Sequence, residues 1–261
     1  MLPSLDINES LEKSVNTTKI RIKLPVDDLL YLHIVLNRMS TNILIAGSHF
    51  SLGKLLAEIF INKGHSVLAC GRSSTTLKEH EVIPENYTFI PWNESSFLGT
   101  KNVLLTGINT CGDIDDAFIV FEPEVDTRPF HDLPTSVISL SVDTFIKGYL
   151  FLIKELLRYF IRRKKGSLSL ILYSGGHDLL PPINSALISA LRETGQTLMQ
   201  FYQNEPIAIL GFESSSTNRE DFVNSILKLW EDRTKPSRVK WIKYTDKTGL
   251  FQNLSLPSFK K

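Results

Sequence analysis

From Thr41 onward, short apolar runs alternate with longer amphipathic stretches, and no other feature of this chain limits its possible folds so tightly. The runs NILIA (42–46), SVLAC (66–70), YTFIPW (87–92), NVLLT (102–106), LSLILY (168–173), IAILGF (207–212) and VKWIKY (239–244) read as strands. Most are apolar at nearly every position, which suits strands covered on both faces. Helical patterns fill the gaps: 51–64 after the first run, 142–166 before the fifth, 185–203 after it, and 219–232 near the end. In the first of these, Leu52, Leu55, Leu56, Ile59 and Phe60 recur at helical spacing, and Gly64 follows as a stop. Strands in turn with helices predict an α/β fold: a doubly wound parallel sheet of about seven strands with helices on both faces.

A chain of 261 residues, 42% of them hydrophobic, suffices to bury one large core. Its net charge of +1 provides no field to draw it to nucleic acid or to an anionic membrane, so small or neutral partners fit better. The two cysteines, Cys70 and Cys111, lack metal-ligand spacing, which argues against a zinc site or a disulfide scaffold and for a reducing cytoplasm. No apolar run looks as long as the roughly eighteen residues that cross a bilayer. The first residues, MLPSLDINESLEKS, lack the basic start and apolar stretch of a secretion signal. Residues 39–261 read as one domain and 1–38 as an N-terminal extension. KIRIKL and VDDLLYLHIVLNR make that extension an added strand and helix, whereas MSTNILIAGS from Met39 is an ordinary beginning for this kind of fold and suggests a start assigned too early. Residues 107–136, rich in carboxylates and interrupted by Pro123, Pro129 and Pro134, read as a long surface loop or lid. His131 within it completes no known metal pattern, and no metal site is expected.

The stretch IAGSHFSLG (45–53) leads from the first strand through a glycine turn into a helix. Free backbone N–H groups and the positive end of a helix dipole suit a pyrophosphate there, which makes Gly47, Ser48, His49, Phe50, Ser51, Leu52 and Gly53 candidate cofactor-binding residues. Gly47 serves the sharp turn and Gly53 the close approach of helix to strand. The spacing Gly47-x-x-x-Ser51-x-Gly53 falls one glycine short of the G-x-x-x-G-x-G loop of the short-chain dehydrogenase/reductase family, which the chain resembles in pattern and order from about Thr41 to Gly211. KNVLLTGIN stands where that family has its D-V-L-V-N-N-A-G strand and turn, FIKGYLFLIKELL where it has the N-L-x-G helix, and GSLSLILYSGG where it has G-x-I-V-N-I-S-S. The resemblance implies a Rossmann-type sheet and a nicotinamide dinucleotide. It adds Thr106 and Gly107 to the cofactor set, and Arg72, at the end of the second strand, implies NADP(H) over NAD(H).

Active members of that family use a tyrosine and a lysine four residues apart on one helix face, the lysine lowering the pKa of the tyrosine. Aligning NSALISALRETG with that motif puts Asn184 at the tyrosine and Ile188 at the lysine. Phe145 stands at the asparagine of the N-L-x-G helix, and only Ser174 survives of the four. No tyrosine in the chain is followed by lysine at the fourth position, and no lysine occurs between Lys165 and Lys228, so realignment does not restore the pair. Ser174, Tyr173 and His177, the last beside Asp178, remain as substitute catalytic groups. Alternation along a strand points Tyr173 and Ser174 to opposite faces.

Three readings follow. The first is a pseudoenzyme that binds NADP(H), as a sensor or as a partner for another protein, without turning over substrate. The second is an oxidoreductase that reduces a small carbonyl or enone through non-standard groups. The third is a cofactor-free interaction subunit. The apolar run Phe145–Ile153 needs cover from a second copy or from the N-terminal extension, which makes a homo-oligomer such as a dimer the expected assembly.

Overall fold

The computed structural model describes residues 40–72, 84–177, 179–232, 241–245 and 252–253. The expectation for residues 1–38 lies outside them, as do residues 239 and 240 of the last predicted strand. The strands are β1 (Asn42–Ala46), β2 (Ser66–Gly71), β3 (Tyr87–Pro91), β4 (Asp116–Phe121), β5 (Ser167–Tyr173), β6 (Ala208–Ser214), β7 (Trp241–Tyr244) and β8 (Gln252–Asn253). The helices are α1 (Ser51–Asn62), α2 (Phe97–Cys111), α3 (Thr135–Ser141), α4 (Tyr149–Arg163), α5 (Pro182–Phe201) and α6 (Arg219–Glu231). One sheet runs in the order β3-β2-β1-β4-β5-β6-β7-β8. Its first seven strands are parallel and β8 is antiparallel to β7. This is the doubly wound α/β arrangement that the alternation predicts. The order reverses between β1 and β4, and a crevice opens there beyond the carboxyl ends of the strands.

Period-two alternation divides each buried strand between two cores. Ile43 and Ile45 of β1 join Leu52, Leu56 and Phe60 of α1 and Phe222, Ile226 and Trp230 of α6. Leu44 and Ala46 join the opposite core with Val103 of α2, Leu152 and Leu156 of α4, and Leu187 and Ile188 of α5.

Two sequence expectations are corrected. Residues 102–106 are not a strand but part of α2: Val103, Leu104 and Gly107 are buried while Leu105 and Thr106 are exposed, a helical spacing. Ser96 starts that helix, its hydroxyl accepting from the Gly99 N–H at 3.1 Å. Residues 107–136 are likewise no simple loop, because they contain β4, whose six residues are all buried. Its one acid, Asp116, accepts a hydrogen bond from Ser167 of the neighbouring strand. The apolar core DAFIVF was obscured by the carboxylates on either side of it.

A third correction concerns length. α3, a π-helical segment Val142–Gly148 and α4 form one uninterrupted helix from Thr135 to Arg163, 29 residues long, apolar enough by composition to cross a membrane. Its Tyr149, Leu152, Leu156 and Phe160 instead pack into the sheet core.

α1 begins so close to the preceding turn that a Cβ on Gly53 would stand 2.3 Å from the Gly47 carbonyl oxygen. Alanine is the better helix former by about 1 kcal/mol, but the obstacle is backbone and cannot swing away. Gly53→Ala is therefore expected to lower stability by about 1–3 kcal/mol despite its propensity, read as a fall in the urea midpoint with an unchanged slope.

Candidate functional site

The chain leaves β1 through Gly47, which turns with φ +81°; a Cβ on it would meet the Val120 carbonyl oxygen of β4 at 2.3 Å. The N–H groups of Gly47 and Ser48 both donate to the Cys70 carbonyl of β2, at 3.0 and 3.2 Å. The loop is thus held between the carboxyl ends of β2 and β4. Phe50 takes the N-cap position of α1 and offers no side-chain acceptor to it.

That acceptor comes from the end of β4, about seventy residues along. Glu122 Oε2 accepts from the Leu52 N–H at 3.0 Å, and Oε1 accepts from the Ser51 hydroxyl at 2.7 Å. Arg219, at the start of α6, donates to Oε1 from 3.2 Å. A carboxylate near unsatisfied N–H groups at the positive end of a helix is favourable for the same reason that phosphate is. Glu122 is a site residue that the sequence reading assigned to the acidic loop; its signal was its place directly after the apolar run DAFIVF.

At the end of β2, the His49 ring covers Gly71, with Nδ1 2.6 Å from where a Cβ on that glycine would be. Its Nε2 is 3.8 Å from Oε1 of the buried Glu94, too far for a direct hydrogen bond. Burial, with the Arg72 and Lys54 charges, holds the imidazole at about 4, below the usual 6.5. Burial pushes the Glu94 carboxyl up, against the opposing pull of Arg72. Arg72 donates from Nε to Glu94 Oε2 at 3.2 Å and lies over the Phe145 ring, 5.5 Å from its centroid. The ring of Phe145 is stacked with that of Phe50, centroids 6.4 Å apart.

Between the ends of β4 and α5 lies a cavity of about 410 Å³ bordered by Arg72, Glu124, Thr144, Phe145, Asn184 and Leu187. Asn184 is 2% exposed and donates from Nδ2 to the Glu124 carbonyl at 2.9 Å. Its Oδ1 is buried without a partner among the described residues. Ile188, one turn on, is buried in the core. Asn184 and Ile188, which the resemblance aligns with a tyrosine and a lysine, are therefore an amide tied to the main chain and core hydrocarbon. A second lobe of the crevice, about 580 Å³, shares Arg72 and Thr144 and reaches Trp92 and Glu94.

The other candidates divide as follows. Gly47 to Gly53 and Arg72 come together at the crevice. Thr106 and Gly107 do not: Thr106 is exposed on α2 and Gly107 is packed beside Leu68 and Ile114, because the segment is a helix and β4 takes the strand position given to it. Tyr173 is corrected as well. It is 1% exposed in the α1/α6 core, stacked with Phe222, and donates to the Ser216 carbonyl at 2.7 Å, so its hydroxyl points away from the Asn184 cavity. Ser174 follows β5 with its N–H on the Ser214 carbonyl at 3.1 Å. His177 is exposed in the loop beyond it, and Asp178 lies outside the described residues. Arg192 is held by both oxygens of Glu213. No group of three or more His, Cys, Asp or Glu side chains suited to a metal occurs among the described residues.

No family profile matches the sequence, and no curated protein matches it. Solved structures do match in fold. Serine dehydrogenase from Escherichia coli superimposes with a TM-score of 0.67 at 16% identity, covering 78% of this chain and 97% of its own. A short-chain dehydrogenase from Leptospira borgpetersenii with bound NAD+ gives 0.68 at 14%, covering 78% and 91%. ElxO with NADP bound gives 0.68 at 14%, covering 78% and 97%. The chain has the fold of the short-chain dehydrogenases/reductases.

Because the folded His49 value lies below the unfolded one, the unfolded chain takes up the proton first as pH falls. Its contribution to stability is whole above pH 6.5 and is lost progressively toward about pH 4. In His49→Gln the urea midpoint is expected to fall less steeply than wild type across that window.

Proposed function

We propose that this chain is a non-catalytic protein with a short-chain dehydrogenase/reductase fold that binds a nicotinamide dinucleotide, NADP(H) in preference to NAD(H). The observation that carries the non-catalytic reading is the state of the cavity wall: Asn184 spends its amide on the Glu124 carbonyl, and Ile188 is core. Bound in the crevice, a nicotinamide would supply hydride chemistry. Reduction of a carbonyl also needs a proton, and the wall at Asn184 and Ile188 has no acid of suitable pKa to give it. Arginine at the end of β2 is suited to a 2′-phosphate, and the half-exposed Arg72 guanidinium stands there.

The frame of the loop fits a pyrophosphate, since Gly47 and Gly53 bring main chain against main chain with no room for a side chain. The Glu122 carboxylate, however, holds the Leu52 amide that such a group would use, so binding requires it to move. That contact also favours a second reading, a cofactor-free interaction subunit. A site in the cytoplasm and a homo-oligomer packed through the apolar faces of α4 and α5 belong to the proposal.

A fluorescence titration with NADPH separates the two readings. Wild type is expected to bind and Arg72→Glu to bind at least tenfold more weakly, with no NADPH oxidation by either in the presence of aldehydes, ketones or quinones. Absence of binding by wild type and by Glu122→Ala selects the subunit reading, and turnover abolished by Ser174→Ala would restore an oxidoreductase.

A further inference from the structure

We propose that the cavity beside Asn184 takes an uncharged, largely apolar molecule through a hydroxyl or N–H donated to Asn184 Oδ1, and that it selects against the matching ketone or ether. The inference rests on the non-catalytic reading of that wall and adds to it the class of ligand the wall recognises. Two observations fix the polarity of the contact. The Asn184 amide donates from Nδ2 to the Glu124 carbonyl at 2.9 Å, and turning the amide over would set oxygen against oxygen, so Oδ1 is the atom left to a ligand. That oxygen is buried, on a residue 2% exposed that borders the cavity, and has no hydrogen-bond partner among the described residues. An acceptor so placed costs free energy until a donor reaches it.

The rest of the cavity bears on what carries that donor. Leu140, Phe145, Ile183 and Leu187 give the space of about 410 Å³ an apolar border. Arg72 and Asp126 also border it, but each is already paired, with Glu94 and with Arg128, so neither calls for a charge on the ligand. The hydroxyls of Ser141 and Thr144 donate or accept as needed and do not choose between ligands. Asn184 does choose. A carbonyl compound would set its oxygen against Oδ1 with no proton between them, whereas the hydroxyl or N–H analogue of the same shape replaces the hydrogen bond it gave up to water. A site built around one buried polar group rejects the isostere that lacks the counterpart more strongly than a hydrophobic pocket separates ligands by size.

The test uses the full chain and two isosteric pairs of probes, indole with benzofuran and cyclohexanol with cyclohexanone, titrated calorimetrically into wild type and Asn184→Leu. Wild type is expected to bind the donor of a pair at least tenfold more tightly than its partner. In Asn184→Leu, shown to be folded by circular dichroism, the two members are expected to bind alike. Equal affinity in wild type within every pair that binds, or no binding of any probe, would overturn the proposal, and this arm decides it even if the variant does not fold. A donor preference undiminished in the folded variant would place the contact elsewhere and overturn it as well. Cyclohexanone with NADPH and cyclohexanol with NADP+ are assayed separately for turnover by wild type. Turnover alongside the donor preference would overturn the non-catalytic reading and leave the Asn184 contact standing; the preference without turnover supports both.

Discussion

The contact on which the site depends is made by main chain alone. Where the strand order reverses, the turn after β1 is pressed against the end of β4 at Gly47, and the first turn of α1 is pressed against that same turn at Gly53. Neither glycine leaves space for a Cβ, so three pieces of backbone are fixed within van der Waals distance of one another. The start of α1 is thereby aimed at the residue that follows β4, and that residue is Glu122. Capping by a side chain so distant in sequence is possible only because this packing leaves no freedom in how helix and strand meet.

Around that corner, the side chains are engaged in packing and in internal charge pairs. Phe145 stacks with Phe50 where the resemblance would place an asparagine. Ile188 closes the core where it would place a lysine. Two carboxylates at the crevice are answered from within the chain, Glu122 by the start of α1 and Arg219, Glu94 by Arg72. A bound anion would be an exchange of partners rather than a simple gain of contacts, because a buried carboxylate that loses its donors is costly unless it finds others.

Much of the fold was legible because strands buried on both faces leave a strong mark: LILYS and ILIA can be read without neighbours. The failures came where local composition misled. NVLLT has the residues of a strand, yet Val103, Leu104 and Gly107 are the buried side of a helix, and only the sheet's face decides which three residues turn inward. DAFIVF was passed over because acids surround it, although a parallel strand needs only its own six residues to be apolar or satisfied, and Asp116 is satisfied by Ser167. The same error hid Glu122, and it carried Thr106 and Gly107 into a site they do not reach. Tyr173 packs into the α1/α6 core, and which face of the sheet holds the cavity depends on where α5 packs.

The sequence by itself determined the alternation of strand and helix, the glycine turn after the first strand, and the absence of any tyrosine with a lysine four residues on, since each is a matter of residue type at short spacing. Tertiary structure alone decided that the glutamate just after β4 meets the start of α1, that His49 lies over Gly71, and that Asn184 turns to the Glu124 carbonyl. These are contacts between segments far apart in the chain. Their existence follows from the order in which the sheet assembles its strands, which no local pattern of residues encodes.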